Sequence, residues 1–310
     1  MDLERISIAV AEAAAEEWWS HKDAGLDSIP IGVIAALALN GRARDTGPGP
    51  AQLIRNATDD EIADLLASIW AMFWIIRPEL AIRCRPFGGW LEERPLPAKT
   101  VAAAAAVARA ATRAGLFTIT RQWENLYAAD LLGPAYLHLR ADAAQKVNGE
   151  FYTPPDMCRI LARLTFFGEN GQHDPPPGMK INDPTCGTGG ILRAIAEILR
   201  EHGLDPHDFW WVGNDIDPVV TAGLAVNAHL WNLGPRVVIG TADILTDPEW
   251  HQRAWKEQLA AIAKRDACRD GAAAGAAFRA GIALADQLMA PPEPEAAPAS
   301  PDKPEPGTLF

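Results

Sequence analysis

Two hydrophobic periods divide the chain. Up to about residue 145, apolar residues recur three and four positions apart, which predicts helices. The candidates are Asp2 to Ser20, Ile29 to Asn40, Thr58 to Ile76, Pro97 to Gly115 and about Ala128 to Lys146. The third opens on "TDDE", a capping hydroxyl followed by first-turn acids, and the fourth has proline before it and glycine closing it. Trp70, Phe73 and Trp74 share one helical face and read as core. No strand-like alternation competes in this part.

From Gly149 the pattern changes. "GEFYTPPDMCRILARL" predicts an extended approach and a helix begun by Pro155 and Asp156. "MKIND", "DFWWVGNDID" and "RVVIGTAD" predict short strands, separated by "ILRAIAEILREHG" and "PVVTAGLAVNAHLWNLG", two helices each stopped by glycine. Alternating strands and helices predict an α/β, doubly wound parallel sheet, here cut short after its third strand and preceded by a helical domain. Residues 249–290 read as alanine-rich helix, and the proline-rich, acidic stretch 291–310 as a tail too polar to fold. The expected domains are 1–147 (helical), 148–250 (α/β), 251–290 (helical) and 291–310 (tail). A three-stranded parallel sheet has exposed edges, so residues 249–290 or a partner chain are expected to cover part of them.

Composition narrows the class. With 48% hydrophobic residues the chain can bury a core. Its longest apolar runs, Ile29 to Leu39 and Ala67 to Ile76, are shorter than the ~20 residues that span a bilayer. "MDLERISIAV" carries acid where a signal peptide is basic, and Cys84, Cys158, Cys186 and Cys268 are scattered. Both predict a cytoplasmic protein with reduced thiols and no metal site. A net charge of −12 argues against a chain that coats nucleic acid. Between Arg77 and Arg121, however, eight basic residues (Arg77, Arg83, Arg85, Arg94, Lys99, Arg109, Arg113, Arg121) face three acidic ones. That surplus suits either weak contact with DNA phosphate or a solvated helix face.

The chemistry concentrates at the predicted strand ends. "KINDPTCGTGG" brings Gly187, Gly189 and Gly190 to the mouth of a helix, where bare backbone and free N–H groups can approach a ligand. The next strand ends at Asp215, a carboxylate placed to take two ribose hydroxyls, and the third ends at Asp243. Polar groups at three adjacent strand ends predict a site for an adenosine-containing ligand. Capping of the next helix by Asp215 and Asp217 explains only part of the set.

"GEFYTPP", "NDPTCGTGG", "VGNDIDP" and "GTADIL", in that order, resemble the S-adenosylmethionine-binding motifs of DNA adenine-N6 methyltransferases, and most of all the modification subunit of type I restriction systems. "ADLLGPAYLHLRADAAQKVNGEFYTP" is similar to the end of that subunit's helical amino-terminal region. The resemblance implies a Rossmann-like methyltransferase domain with S-adenosylmethionine as cofactor. It assigns Thr153 to the methionine carboxylate, Phe151 and Tyr152 to the pocket wall and Asp183 to the methionine ammonium. Cys186, Gly187, Thr188 and Gly189 form the close-approach turn, Asp215 takes the ribose, Ile216 lies against the adenine, and Asp243 accepts from the adenine amine. Plain core packing for Phe151 and Tyr152, and helix capping for Thr153, remain open beside these roles.

The family's acceptor tetrapeptide, [N/D/S]-P-P-[Y/F/W], does not occur in the chain. Methylating an adenine amine requires a flipped base held by stacking, and acceptors for the amine protons. "DPEW" at Asp247 to Trp250 comes nearest, and makes Asp247 a weak catalytic candidate. It stands four residues beyond Asp243, however, and reads more simply as the start of a helix. Two expectations follow. One is an adenine-N6 DNA methyltransferase whose acceptor group is divergent or comes from another polypeptide. The other is an inactive relative that binds cofactor or DNA as a partner subunit. A partner that completes the sheet or supplies target recognition fits either.

Overall fold

The computed structural model describes residues 2–40, 49–93, 95–140, 153–167 and 175–289. Arg94, Phe151, Tyr152, the end of the fifth predicted helix and the 291–310 tail lie outside the described residues.

The amino-terminal part is helical: α1 Leu3–Ser20, α2 Ser28–Leu39, α3 Pro50–Asn56, α4 Asp59–Ile76, α5 Pro78–Ala81, α6 Arg85–Gly88, α7 Ala98–Arg113, α8 Leu116–Thr120, α9 Trp123–Ala128 and α10 Leu132–Leu139. Helix α2 is apolar on every side, so it can be stable only where every side is covered. It forms the hub, packed by α1, α4, α6, α7, α8 and α10, with Ile31 to Leu37 almost wholly buried. The start of α4 is fixed by a reciprocal capping box. Glu61 accepts the Thr58 N–H at 2.7 Å, and the Thr58 hydroxyl oxygen accepts the Glu61 N–H at 3.3 Å. The Thr58 N–H and hydroxyl, both donating to the Glu61 carboxyl, hold it below its usual range. Phe73 is buried, while Trp70 and Trp74 are half-buried.

Beyond these come α11 Pro155–Phe167, β1 Lys180–Asp183, α12 Gly190–Glu201, β2 Trp210–Asp215, α13 Pro218–Leu230, β3 Val237–Thr241 and α14 Trp250–Met289. The strands are parallel in the order β1-β2-β3, the only sheet among the described residues. Asp183 registers with Gly213, and Asp215 with Thr241, so the carboxyl ends share one edge. Chain contacts divide the protein into two units, Met1–Arg265 and Asp266–Phe310. The second is helical as far as Met289.

Within the first unit, helices and sheet share one buried core. Arginines from the helical part act as struts. The Arg77 guanidinium donates to the Gly234 carbonyl at 2.9 Å and pairs with Glu79, while Arg83 donates to the Ile239 carbonyl at 2.9 Å and pairs with Glu257. Arg109 pairs with Asp59, Arg113 with Glu17 and Lys99 with Asp23. Of the basic surplus of 77–121, Arg77, Arg83 and Arg109 are therefore engaged inside the molecule, whereas Arg85, Lys99, Arg113 and Arg121 stay exposed.

Among the described residues, two apolar surfaces beside the sheet are partly open. On the face away from α12 and α13, Trp210, Val212, Val238, Trp250 and Trp255 line a groove of about 660 Å³, with Lys180 and Asn182 at its rim. On α11, Met157, Ile160, Leu161 and Leu164 form an exposed apolar stripe at the i, i+3, i+4, i+7 spacing. Its opposite face packs on α12, where Arg159 and Arg163 pair with Glu201.

Candidate functional site

The turn between β1 and α12 is built from three main-chain links. The Cys186 N–H donates to the Asn214 carbonyl at 2.8 Å, the Gly187 N–H to Asp215 Oδ2 at 3.0 Å, and the Asn227 amide to the Thr188 carbonyl at 2.9 Å. Asp215 Oδ1 accepts the Asp217 N–H at 3.1 Å. One carboxylate therefore ties the glycine turn to the end of β2, and each of its oxygens keeps a lone pair for a ligand hydroxyl.

The two left-handed glycines divide the work. Gly189 has φ +99°, and a Cβ there would stand 2.6 Å from Leu224 and 2.9 Å from Trp231, so this glycine lets α12 and α13 close together. Gly187 has φ +56°, and a Cβ would meet nothing within 4 Å. Its bare backbone faces open space, where a ligand can approach.

Asp183 ends β1 and is nearly buried. Its Oδ1 accepts the Thr185 N–H at 3.3 Å, whereas Oδ2 is buried with no hydrogen-bond partner among the described residues. Burial pushes its carboxyl up from the usual value, the Thr185 N–H opposes this, and the charge of Asp215 adds to the rise. A buried carboxylate oxygen without a donor costs free energy unless a cation or donor reaches it. A ligand ammonium meets that need.

Around this centre, Ile216 is 62% exposed and Leu245 is 89% exposed, giving apolar surface beside the strand ends. Asp243 accepts the Leu245 N–H at 2.9 Å, and the Ala242 N–H donates to the Asp215 carbonyl at 3.0 Å, so the ends of β2 and β3 are joined. Thr153 is half-buried, and its carbonyl accepts from the Cys158 thiol at 3.5 Å. Cys158 Sγ lies 3.4 Å from the Cβ position of Gly190 and feels the charge of Asp183. Thr153, the glycine turn, Asp183 and Asp215 thus belong to one neighbourhood. Thr153 is not the helix cap, since α11 begins at Pro155 and the Pro154 carbonyl accepts the Cys158 N–H. Burial pushes the Cys186 thiol well up, which suits packing and not nucleophilic attack.

Asp247 is directed elsewhere. Its carboxylate pairs with Arg253, and its carbonyl accepts the Trp250 N–H as α14 begins. Among the described residues no group of three or more His, Cys, Asp or Glu could hold a metal ion. No helix of the described chain is long and apolar enough to cross a membrane. One functional link escaped the sequence reading: Asp217, expected only as a cap, also binds Arg140 and Tyr136 of the helical part. No local pattern marks so distant a pair.

Residues 127–264 match the family model described as N-6 DNA Methylase. The type I restriction enzyme MpnII methylase subunit of Mycoplasma pneumoniae is 28% identical over 127 residues, covering 40% of this chain and 22% of that relative. The MjaIX methylase subunit of Methanocaldococcus jannaschii is 30% identical over 74 residues, covering 24% of this chain and 12% of the relative. The chain therefore spans about a fifth or less of the length of these relatives. A crystal structure of the type I restriction-modification methyltransferase subunit from Streptococcus thermophilus is similar at 18% identity and a TM-score of 0.40, covering 79% of this chain and 60% of that one. So low a score carries no weight for the fold. The four sequence stretches with methyltransferase character all lie inside 127–264, and the resemblance to N6 DNA methylases stands.

Proposed function

We propose, for a chain whose residues 127–264 are of N-6 DNA methylase type, that the crevice at the strand ends binds S-adenosylmethionine for methylation of adenine in DNA. The observation that carries this reading is Asp183, whose buried Oδ2 has no partner among the described residues, beside the open Gly187 backbone. The residues fit the cofactor. Asp183 suits its ammonium, Asp215 the ribose hydroxyls, Ile216 an adenine face, and Asp243 the adenine amine. Thr153, at the Gly190 side of the turn, suits the methionine carboxylate, and the sequence resemblance assigns Phe151 and Tyr152, which lie outside the described residues, to the pocket wall. Cys186, Thr188 and Gly189 shape the turn.

When bound, the cofactor supplies an electrophilic methyl group on a sulfonium. The chain's own residues hold and orient the donor, and Asp183 balances the ammonium charge where water is largely excluded. The adenine amine must still lose a proton as it is methylated, and the acceptors for it are not evident in this chain. Asp247, tied to Arg253, is poorly placed for that task.

A second reading draws on the uncovered surfaces. Met179 already gives its carbonyl to Trp210 of β2, so strand alternation turns the main-chain groups of Lys180 and Asn182 to the open side of β1. That edge, the apolar groove and the α11 stripe suit a partner polypeptide that extends the sheet and supplies the acceptor or DNA target recognition. Without such a partner, the chain acts as a cofactor-binding subunit. With restriction-modification as the setting, contact with DNA from 77–121 rests on the exposed Arg85, Lys99, Arg113 and Arg121. Transfer of labelled methyl from S-adenosylmethionine to DNA, by the chain alone and with a neighbouring specificity or methylase chain, tests these readings. Cofactor binding without transfer in either arm supports the inactive relative, and absence of binding removes both.

A further inference from the structure

Between the helical part and the glycine turn runs an unbroken series of short polar contacts. Arg140 follows α10, and its Nη1 lies 2.7 Å from Asp217 Oδ2; the Tyr136 hydroxyl donates to the same oxygen at 3.1 Å. The guanidinium also stacks over the Tyr136 ring, 5.1 Å from its centroid. Asp217 Oδ1 accepts the Val219 N–H at 2.7 Å and so caps α13. The Asp217 N–H donates to Asp215, and the other oxygen of Asp215 takes the Gly187 N–H. Asp217 is 7% exposed, and the Arg140 side chain 13%.

A helix cap alone needs neither an arginine nor a tyrosine. Asp217 could cap α13 from a solvated position, as most caps do. Here it is buried, its charge is balanced by the Arg140 guanidinium, and the Tyr136 hydroxyl donates to it, both groups lying roughly eighty residues earlier. A buried, fully bonded ion pair has sharp geometry, because moving either partner strands a charge away from water. The backbone at Asp217 is thus fixed, and with it the N–H that orients the Asp215 carboxylate.

We propose that Arg140 and Tyr136 are positioning residues for the donor site, acting through Asp217 and Asp215 on the Gly187 turn. The proposal builds on the cofactor reading, but its structural core stands apart from it. The helical part is thereby a component of the binding site as well as its neighbour. Preorganising a carboxylate lowers the cost of ordering it when a ligand arrives, so the relay acts on affinity as well as on stability, where loss of Arg140 would strand the buried Asp217 charge.

The test compares wild type with Tyr136→Phe and Arg140→Met. It measures S-adenosylmethionine affinity by calorimetry, the unfolding midpoint, and amide hydrogen exchange in 183–190, 213–219 and 98–113. Tyr136→Phe, which removes one hydrogen bond and leaves the ring, is expected to weaken binding about 3- to 10-fold, and Arg140→Met about 10- to 100-fold. Exchange should rise in 183–190 and 213–219 and stay unchanged in α7. Arg140→Lys should restore part of the affinity, since the charge returns without the planar fork. Unchanged exchange in 183–190 overturns the proposal, as does an equal rise in all three segments, which marks general loosening. If Arg140→Met fails to fold, Tyr136→Phe decides alone. If wild type binds no cofactor, the proposed function fails, and the exchange comparison still decides the relay.

Discussion

The helical part and the sheet part share a core but close their polar and apolar groups differently. In the helical part, α2 is covered on all sides and the basic residues of 77–121 are mostly held in ion pairs or on carbonyls. In the sheet part, Asp183 keeps a buried oxygen without a partner among the described residues, Ile216 and Leu245 stand exposed, and Gly187 looks onto open space. The helical part has its own exposed apolar side chains, Leu26, Met72, Ile75 and Ile76 among them, but no buried carboxylate oxygen without a partner among the described residues. Such an oxygen beside open backbone at one edge suits a ligand, and this contrast underlies the proposed site.

The contrast predicts that stability and binding can be damaged separately. The largest stability effect belongs to the scaffold. Leu37→Ala removes a wholly buried side chain from the hub and is expected to cost about 2–5 kcal/mol in denaturant unfolding. Its folded fraction should bind S-adenosylmethionine within about twofold of wild type. A clear loss of intrinsic affinity would show that the two regions are not separable at that point.

Next is the pair of glycines. Gly189→Ala meets both a left-handed φ and side chains closer than 3 Å, so it should cost about 2–4 kcal/mol and abolish binding. Gly187→Ala meets only the φ, so it should cost about 1 kcal/mol. It should nonetheless weaken binding more than about tenfold, because the new methyl fills the approach. Equal stability losses at the two positions would break the division of labour between them.

A gentler test is pH. Burial raises the Asp183 carboxyl above its usual 3.8, so the folded protein holds that proton more tightly than the unfolded chain. Stability from this group is fully present below 3.8 and is lost as pH rises through the raised value. Cofactor affinity should run oppositely, falling as pH drops through the same window, because the ammonium needs the ionised carboxylate. Calorimetric titrations across the acidic range check the sign, and an affinity that is flat there counts against Asp183 as the ammonium partner.

The smallest effect is expected at Asp247, which serves a partly exposed ion pair. Asp247→Ala should change stability by less than about 1 kcal/mol and leave cofactor binding intact. If it abolishes methyl transfer in the presence of a partner chain, Asp247 joins the catalytic side.

Much of this was legible in the sequence. "TDDE" announced the capping box of α4, and the three strand stretches appeared where expected, because cap chemistry and short apolar runs bounded by glycine are local signals. The short helices α3, α5, α6, α8 and α9 were not legible, since they span too few residues to display a period and are held by tertiary packing. Charge misled in a related way. The surplus of 77–121 looked like an outward face, but Arg83 donates to a carbonyl 156 residues away. At the site, the spacing from Gly187 to Asp215 to Asp243 marked the strand ends, whereas the Asp183 oxygen, buried without a partner among the described residues, and the Arg140–Asp217 pair emerge only once distant elements meet.

One measurement bears on the central claim most directly: calorimetric titration of S-adenosylmethionine into wild type and Asp183→Asn near neutral pH, with the unfolding midpoint of each ligand-free protein. Asparagine can keep the Thr185 hydrogen bond and sheds the buried charge. The ligand-free variant should therefore unfold at the same temperature or higher, while its affinity drops about 100-fold. A variant that binds as tightly as wild type, or a folded wild type that gives no binding heat, contradicts the account.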